Sequence, residues 1–311
     1  MRTIFFILLF ICIPGIVHCS RKVPVHMEKP LLYVSIPPQK YFVEKIVGGL
    51  FRVETLIPPG ASPHTFEPKP AQMTDLAKAR AFFSIGVEME KKWLPKIKEL
   101  NPQLIVIATD SGINKRHGSF EHDTDHDHSM AHDEHDHRGT DPHIWLSPDL
   151  VKHQVTIVTD AVCKLDSVHC NEFRQHLSDF TGEIDTVKQR LKNRLSNCNA
   201  NKHFLVFHPS WGYFAEAFSL TQIAIEVEGK EPSGRELETI LTIARKNGCS
   251  AILVQPQFSQ KMAHTIAHHL GGTVAVADPM AADWSANLYH VADLLCGNPD
   301  GNQSSAKVAN E

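Results

Sequence analysis

From Asn171 to Leu195, apolar side chains recur at steps of three and four: Phe173, Leu177, Phe180, Ile184, Val187, Leu191 and Leu195. Residues so spaced fall along one face of a helix, and polar residues fill the positions between them. The spacing predicts a helix of about 25 residues, nearly 40 Å long at ~1.5 Å per residue. A rod of that length suits a strut between two bodies. The chain of 311 residues is long enough for about two domains.

On either side of this stripe the sequence alternates between short apolar runs and helical patterns. Before it, strands are expected at Leu31 to Ile36, Phe51 to Ile57, Ala81 to Ile85 and Gln103 to Ala108. Helices are expected between them at Gln39 to Val47, Ala71 to Ala79 and Glu88 to Glu99. Gly48-Gly49 stops the first helix, and Ser147-Pro148-Asp149 starts a helix that runs to about Leu165. After the stripe the grammar repeats. Strands fit His203 to Phe207, Gln222 to Val227, Ala251 to Val254 and Thr273 to Ala277. Helices fit Gly212 to Phe218, Arg235 to Asn247, Gln260 to Leu270 and Asp283 to Leu295. Such alternation argues parallel sheets covered by helices. The expected fold is α/β: two lobes with mostly parallel four-stranded sheets, joined by a long linker helix. The expected divisions are a first lobe over 22–146, a helical linker over 147–197, a second lobe over 198–298 and a polar tail over 299–311.

Met1-Arg2-Thr3, the apolar run Ile4 to Val17 and the exit His18-Cys19-Ser20 read as a signal peptide over residues 1–19. The run is shorter than the ~20 residues of a spanning helix. Cys19 leaves lipid anchoring open, although His18 is a poor match for the small residue such sites prefer. The net charge of −4 comes with no basic stripe, which argues against a nucleic-acid partner. Export permits disulfides. Beyond the signal region lie Cys163, Cys170, Cys198, Cys249 and Cys296, an odd number without a CxxC pair, which reads as structural.

Two features carry chemistry. The stretch from Asn114 to Trp145 holds His117, His122, His126, His128, His132, His135 and His137 among aspartates and glutamates, seven of the chain's twenty histidines. Imidazole nitrogens suit late transition metals, whereas carboxylates alone favour harder ions. The second feature is positional. In open α/β sheets, ligands bind beyond the carboxyl ends of the strands. His64 lies in the loop after the second strand, His143 just after the tract, His208 at the end of HFLVFH, and Asp278 at the end of TVAVA. Three neutral imidazoles and one carboxylate make a complete tetrahedral zinc set with net charge +1. A lone histidine at a strand end is more often structural, but four such residues at the functional edges of both lobes form a stronger signal. His264 and His268 have i,i+4 spacing, but Thr265 stands where an HExxH motif needs Glu. They read as surface or packing residues, together with His153, His169, His176, His203, His269 and His290.

From about Leu31 to Cys296 the chain resembles the metal-binding solute receptors of ABC transporters, the cluster A-I group. The resemblance rests on Pro-Pro-Gly-Ala-Ser-Pro-His around His64, Thr-Asp-Pro-His-Ile-Trp-Leu-Ser-Pro around His143 and Phe-His-Pro-Ser-Trp-Gly-Tyr-Phe around His208. Glu-Gly-Lys-Glu-Pro-Ser from Glu228 and Ala-Asp-Pro-Met at Asp278 complete it. Within the group it is similar to the zinc receptors, in which a His-rich acidic loop precedes the second ligand histidine. The manganese and iron receptors usually carry Glu where this chain has His208, and they lack the loop. The resemblance implies metal held between two bridged lobes by His64, His143, His208 and Asp278. It implies an exported, periplasmic, monomeric receptor that captures Zn2+ and delivers it to an ABC permease driven by a cytoplasmic ATPase. The tract becomes an accessory metal-binding loop over 114–138. Family positions also imply a disulfide between Cys249 and Cys296, with Cys163 and Cys170 as candidates for a second and Cys198 unassigned. Two other classes are weighed against this non-enzymatic reading. A zinc-dependent hydrolase could use Glu226 or Glu228 as a general base, but no nucleophile motif accompanies the ligands. A surface adhesin that happens to bind metal is the other class, but the sequence offers it no adhesive repeat or coiled coil.

Overall fold

Pro37-Pro38 at the head of a helix and Gly48 at its foot set the first βα unit. Proline suits the first helical turn, where its missing N–H leaves nothing unsatisfied. Gly48 takes the left-handed conformation (φ 56°) and its amide closes on the Glu44 carbonyl. A Cβ on Gly48 would sit 2.5 Å from the His176 imidazole, so this close approach also requires glycine.

The computed structural model describes residues 29–63, 65–117, 140–198, 201–227, 230–249, 251–258 and 260–297. The first lobe runs β1 (Leu31–Val34), α1 (Pro37–Val47), β2 (Arg52–Thr55), α2 (Pro70–Leu76), β3 (Ala81–Ser84), α3 (Glu88–Leu100) and β4 (Ile105–Ala108). Its sheet has the order β2-β1-β3-β4, all parallel. A 3-10 turn (Ile144–Leu146) leads into α4 (Pro148–Leu165) and then α5 (Cys170–Asn197). The second lobe runs β5 (His203–Val206), α6 (Gly212–Ala217), β6 (Thr221–Ala224), α7 (Gly234–Lys246), β7 (Ala251–Val254), α8 (Gln260–Leu270), β8 (Thr273–Val276) and α9 (Trp284–Leu295). Its sheet repeats the order as β6-β5-β7-β8, again parallel. The expected fold class is thus observed: two four-stranded parallel α/β lobes and a long helix between them.

The 28-residue α5 spans ~42 Å at the standard rise. Its predicted stripe is the buried face: Phe173, Phe180, Ile184, Val187, Leu191 and Leu195 are buried, and Leu177 is partly so. Phe180 packs against Tyr41 and Phe42 of α1, with ring centroids 5.8 and 6.2 Å apart. Trp284 of α9 meets Phe42 edge-on at 5.5 Å, so the last helix returns to the helix layer beside the first lobe. In the second sheet the strand period of two divides the core. Phe204, Val206 and Leu253 join the core shared with the first lobe, while Leu205, Phe207, Ile252 and Val254 face a separate cluster under α7 and α8. Among the described residues no helix is long and apolar enough to cross a membrane.

The disulfides correct one expectation. Cys249 does not pair with Cys296. The structure joins Cys198 to Cys296, with Cα atoms 5.5 Å apart, and Cys163 to Cys170. Cys198 caps the C-terminus of α5 and Cys296 caps that of α9. The two helices lie side by side, and Arg194 of α5 bonds Asp293 of α9 at 2.5 Å. Cys249 is instead buried as a thiol in the cluster under α7 and α8. Burial pushes its pKa up to about 11, so it behaves as a small apolar side chain.

Candidate metal centre

The segment between β4 and α4 meets the turn that follows β5, which brings the His143 and His208 rings together. His143 caps the 3-10 turn, and its backbone N–H donates to Asp141 Oδ1 at 2.9 Å. The same oxygen lies 2.7 Å from His143 Nδ1. Both residues are buried, at 8% and 7% exposure, so water competes little for that bond. His208 follows β5, and its Nδ1 lies 2.6 Å from Glu226 Oε1. Glu226 is 3% exposed and follows β6. The pairing follows from register. Val206 lies opposite Ala224, and two residues further along each chain come His208 and Glu226.

The two imidazoles face each other with centroids 5.4 Å apart and planes at 69°. A carboxylate at Nδ1 makes that nitrogen the proton-bearing one and puts the lone pair on Nε2. Each ring is therefore fixed in the tautomer that donates Nε2 to a metal, by the carboxylate–histidine arrangement typical of metal sites. Phe258 stacks on the His208 ring at 5.7 Å and 18°, and Trp145 lies 5.2 Å from His143. Gln255 Nε2 donates to the His208 carbonyl at 3.0 Å and to Ser210 Oγ at 2.9 Å, which fixes the turn after β5.

Asp278 follows β8 by two residues. Its Oδ1 accepts from the Met280 N–H at 2.9 Å, and its backbone carbonyl accepts from Asn287 at 2.8 Å. Burial raises its carboxyl above the usual range, opposed by hydrogen bonds from the Met280 amide and the Gln257 side chain. Burial thus disfavours its charge, and a neighbouring cation would relieve that. The segment is tied directly to that of His143: Trp145 Nε1 donates to the Pro279 carbonyl at 2.7 Å, and Trp284 Nε1 donates to the Trp145 carbonyl at 2.7 Å. The structure brings His143 and His208 together. It does not gather Asp278 with them into a three-donor group, and no cluster of three His, Cys, Asp or Glu side chains able to hold a metal occurs among the described residues. His64 lies outside the described residues, between Pro63 and Thr65.

Of the tract, only His117 is described; His122, His126, His128, His132, His135 and His137 lie outside the described residues. His117 pairs with Thr140 in an antiparallel bridge, so both ends of the tract meet at one stem. The stem is clamped by Tyr213 of α6, whose hydroxyl accepts from the Arg116 N–H at 2.9 Å and donates to the Asp141 carbonyl at 3.0 Å. Burial pushes this phenol up to about 12, so it stays protonated and keeps donating. The stem therefore ends on the residue that orients His143. Asp141 and Glu226 were not legible in the sequence as orienting groups. The signals available were the two-residue step from Asp141 to His143 and the adjacency of β5 and β6.

Two lobes of identical strand order, a long connecting helix and carboxylate-backed imidazoles at the facing sheet edges define a two-lobed metal-binding protein. Residues 32–293 match the family described as ZnuA, the periplasmic component A of the zinc-uptake complex, and the chain belongs to that family of zinc-binding ABC solute receptors. It is 27% identical over 257 residues to the high-affinity zinc uptake system protein ZnuA of Bacillus subtilis, covering 81% of this chain and 79% of that protein. To the protein of the same name from Yersinia pestis it is 24% identical over 274 residues, covering 83% and 86%. A crystal structure of a ZnuA superposes with a TM-score of 0.77 at 38% identity, covering 87% of this chain and 99% of that one. A zinc-bound deletion mutant of ZnuA superposes equally well, at 0.77 and 38%, covering 88% and 98%. The chain spans about half (49%) of the length of the zinc-binding protein AdcA of Streptococcus pyogenes, to which it is 27% identical.

Proposed function

We propose that this chain is an extracytoplasmic receptor that captures Zn2+ between its lobes and delivers it to an ABC permease driven by a cytoplasmic ATPase. The observation that carries the reading is the facing pair His143 and His208, each oriented through Nδ1 by a buried carboxylate. His64 and Asp278 complete the four-donor set. Residues 22–146 and 198–298 act as the two lobes, bridged by 147–197, and the receptor works as a periplasmic monomer. The tract at 114–138 is an accessory collector. Its stem, the bridge between His117 and Thr140, leads directly into Asp141 and His143, so metal held by the tract is tethered beside the cleft.

The same geometry favours zinc over manganese or iron, because a second oriented imidazole shifts preference toward the late metals. It also favours transport over hydrolysis. Glu226, the candidate general base, already accepts from His208 Nδ1 and is positioned to support a ligand instead of activating water. Competitive zinc titration tests the reading, comparing the chain from residue 22 with the same chain lacking 114–138. One tight site that survives the deletion, together with loss of weaker sites, is the expected result. Loss of all tight binding with the tract would overturn the cleft assignment.

A further inference from the structure

Three of the histidines left unused by the cleft stand on α8, which packs along the second sheet. The helix buries Ala263, Ile266 and Ala267 against the sheet and exposes His264, Thr265, His268 and His269. His264 and His268 are four residues apart, so their side chains stand one above the other on one face with Cβ atoms about 5–6 Å apart. With Lys261, Thr265 and His269 they line one open concavity of about 530 Å³, ample for a hydrated divalent ion. In a parallel α/β unit the helix runs opposite to the strands. The C-terminal end of α8 therefore lies at the amino edge of the sheet, from which β8 starts, whereas His208 and Asp278 leave the carboxyl edge. The pair is thus separate from the cleft.

We propose that His264 and His268 form a two-imidazole surface site for a late divalent transition metal, Cu2+ most strongly and Zn2+ or Ni2+ less so. Two imidazoles at i and i+4 present nitrogens to one ion, the spacing by which helices in zinc enzymes supply a histidine pair. The preference for copper follows the general affinity order of nitrogen sites. Water fills the remaining positions, so the site is weaker than a four-donor cleft and exchanges metal readily. The residue after His264 is Thr265, whose hydroxyl donates to the Lys261 carbonyl at 3.1 Å. No general base stands beside the pair in the manner of HExxH, so the site binds without hydrolysing. The inference shares no ligand with the cleft and stands whether or not the cleft reading does.

The test uses the chain lacking 114–138, with one equivalent of Zn2+ already bound, titrated with Cu2+ and followed by calorimetry and electron paramagnetic resonance. One further Cu2+ equivalent with a two-nitrogen spectrum is expected. His264→Ala and His268→Ala should each weaken that binding at least ten-fold, and the double variant should abolish it. An unchanged circular dichroism melt excludes misfolding as the cause. Copper uptake that is indifferent to both substitutions, or a one-nitrogen spectrum that falls only in proportion to the histidines removed, would overturn the pair as a site.

Discussion

Among single residues, the proposed site depends on two carboxylates that orient its imidazoles without being ligands themselves. Glu226 fixes the tautomer and angle of His208, and Asp141 does the same for His143. Groups in this position typically contribute 10–100-fold in metal affinity. Glu226→Gln is therefore expected to weaken zinc binding by about that factor, because the amide accepts less strongly and can present N–H to Nδ1. Competition against a chromophoric chelator measures it. An unchanged affinity would mean that Glu226 only fills space. The strand-end rule singled out His143 and His208 in the sequence, and the structure brings their rings together. The rule could not place Glu226 as the partner of His208. That pairing depends on β6 lying next to β5, which strand count alone does not determine.

At the scale of elements, the helices and strands were legible because their periods differ, three to four residues against two, and because proline and glycine punctuate them. The bridge between Cys163 and Cys170, a candidate in the sequence, is observed, whereas the partner of Cys296 was not legible, since it depends on where helix ends meet. The two bridges differ most in the loops they close. Cys198 and Cys296 are 98 residues apart, whereas Cys163 and Cys170 are separated by 7. Loop-closure entropy assigns about 4.7 kcal/mol to the longer loop and about 2.4 kcal/mol to the shorter. Replacing Cys198 and Cys296 by serine is expected to lower unfolding free energy by roughly 2 kcal/mol more than replacing Cys163 and Cys170. Denaturant unfolding of the two double variants measures the difference. Equal losses would show that the covalent tie between α5 and α9 adds little to what Arg194 and Asp293 already hold.

At the scale of the whole molecule, the question is whether the lobes open and close. The helix α5 carries a continuous buried stripe along its length, and the core it serves runs from α1 to β5 and α9 without a break. Three hydrogen bonds then cross between segments that a hinge would separate: Trp145 to the Pro279 carbonyl, Trp284 to the Trp145 carbonyl, and Tyr213 to the Asp141 carbonyl. All three are buried, and opening the cleft would exchange each for water at a net cost of about 0.5–1.5 kcal/mol. These ties hold the segments of His143 and Asp278 together, so metal binding at the proposed site is expected to need no movement of one lobe against the other. Zinc saturation is accordingly expected to leave the radius of gyration in solution scattering unchanged within error. Trp145→Phe keeps the aromatic packing but removes the donor to Pro279, the residue after Asp278. It should speed zinc dissociation about five-fold, the equivalent of one lost hydrogen bond of about 1 kcal/mol. A clear compaction of the native chain on zinc binding, with a dissociation rate indifferent to Trp145→Phe, would show that the lobes move and that these ties do not hold them.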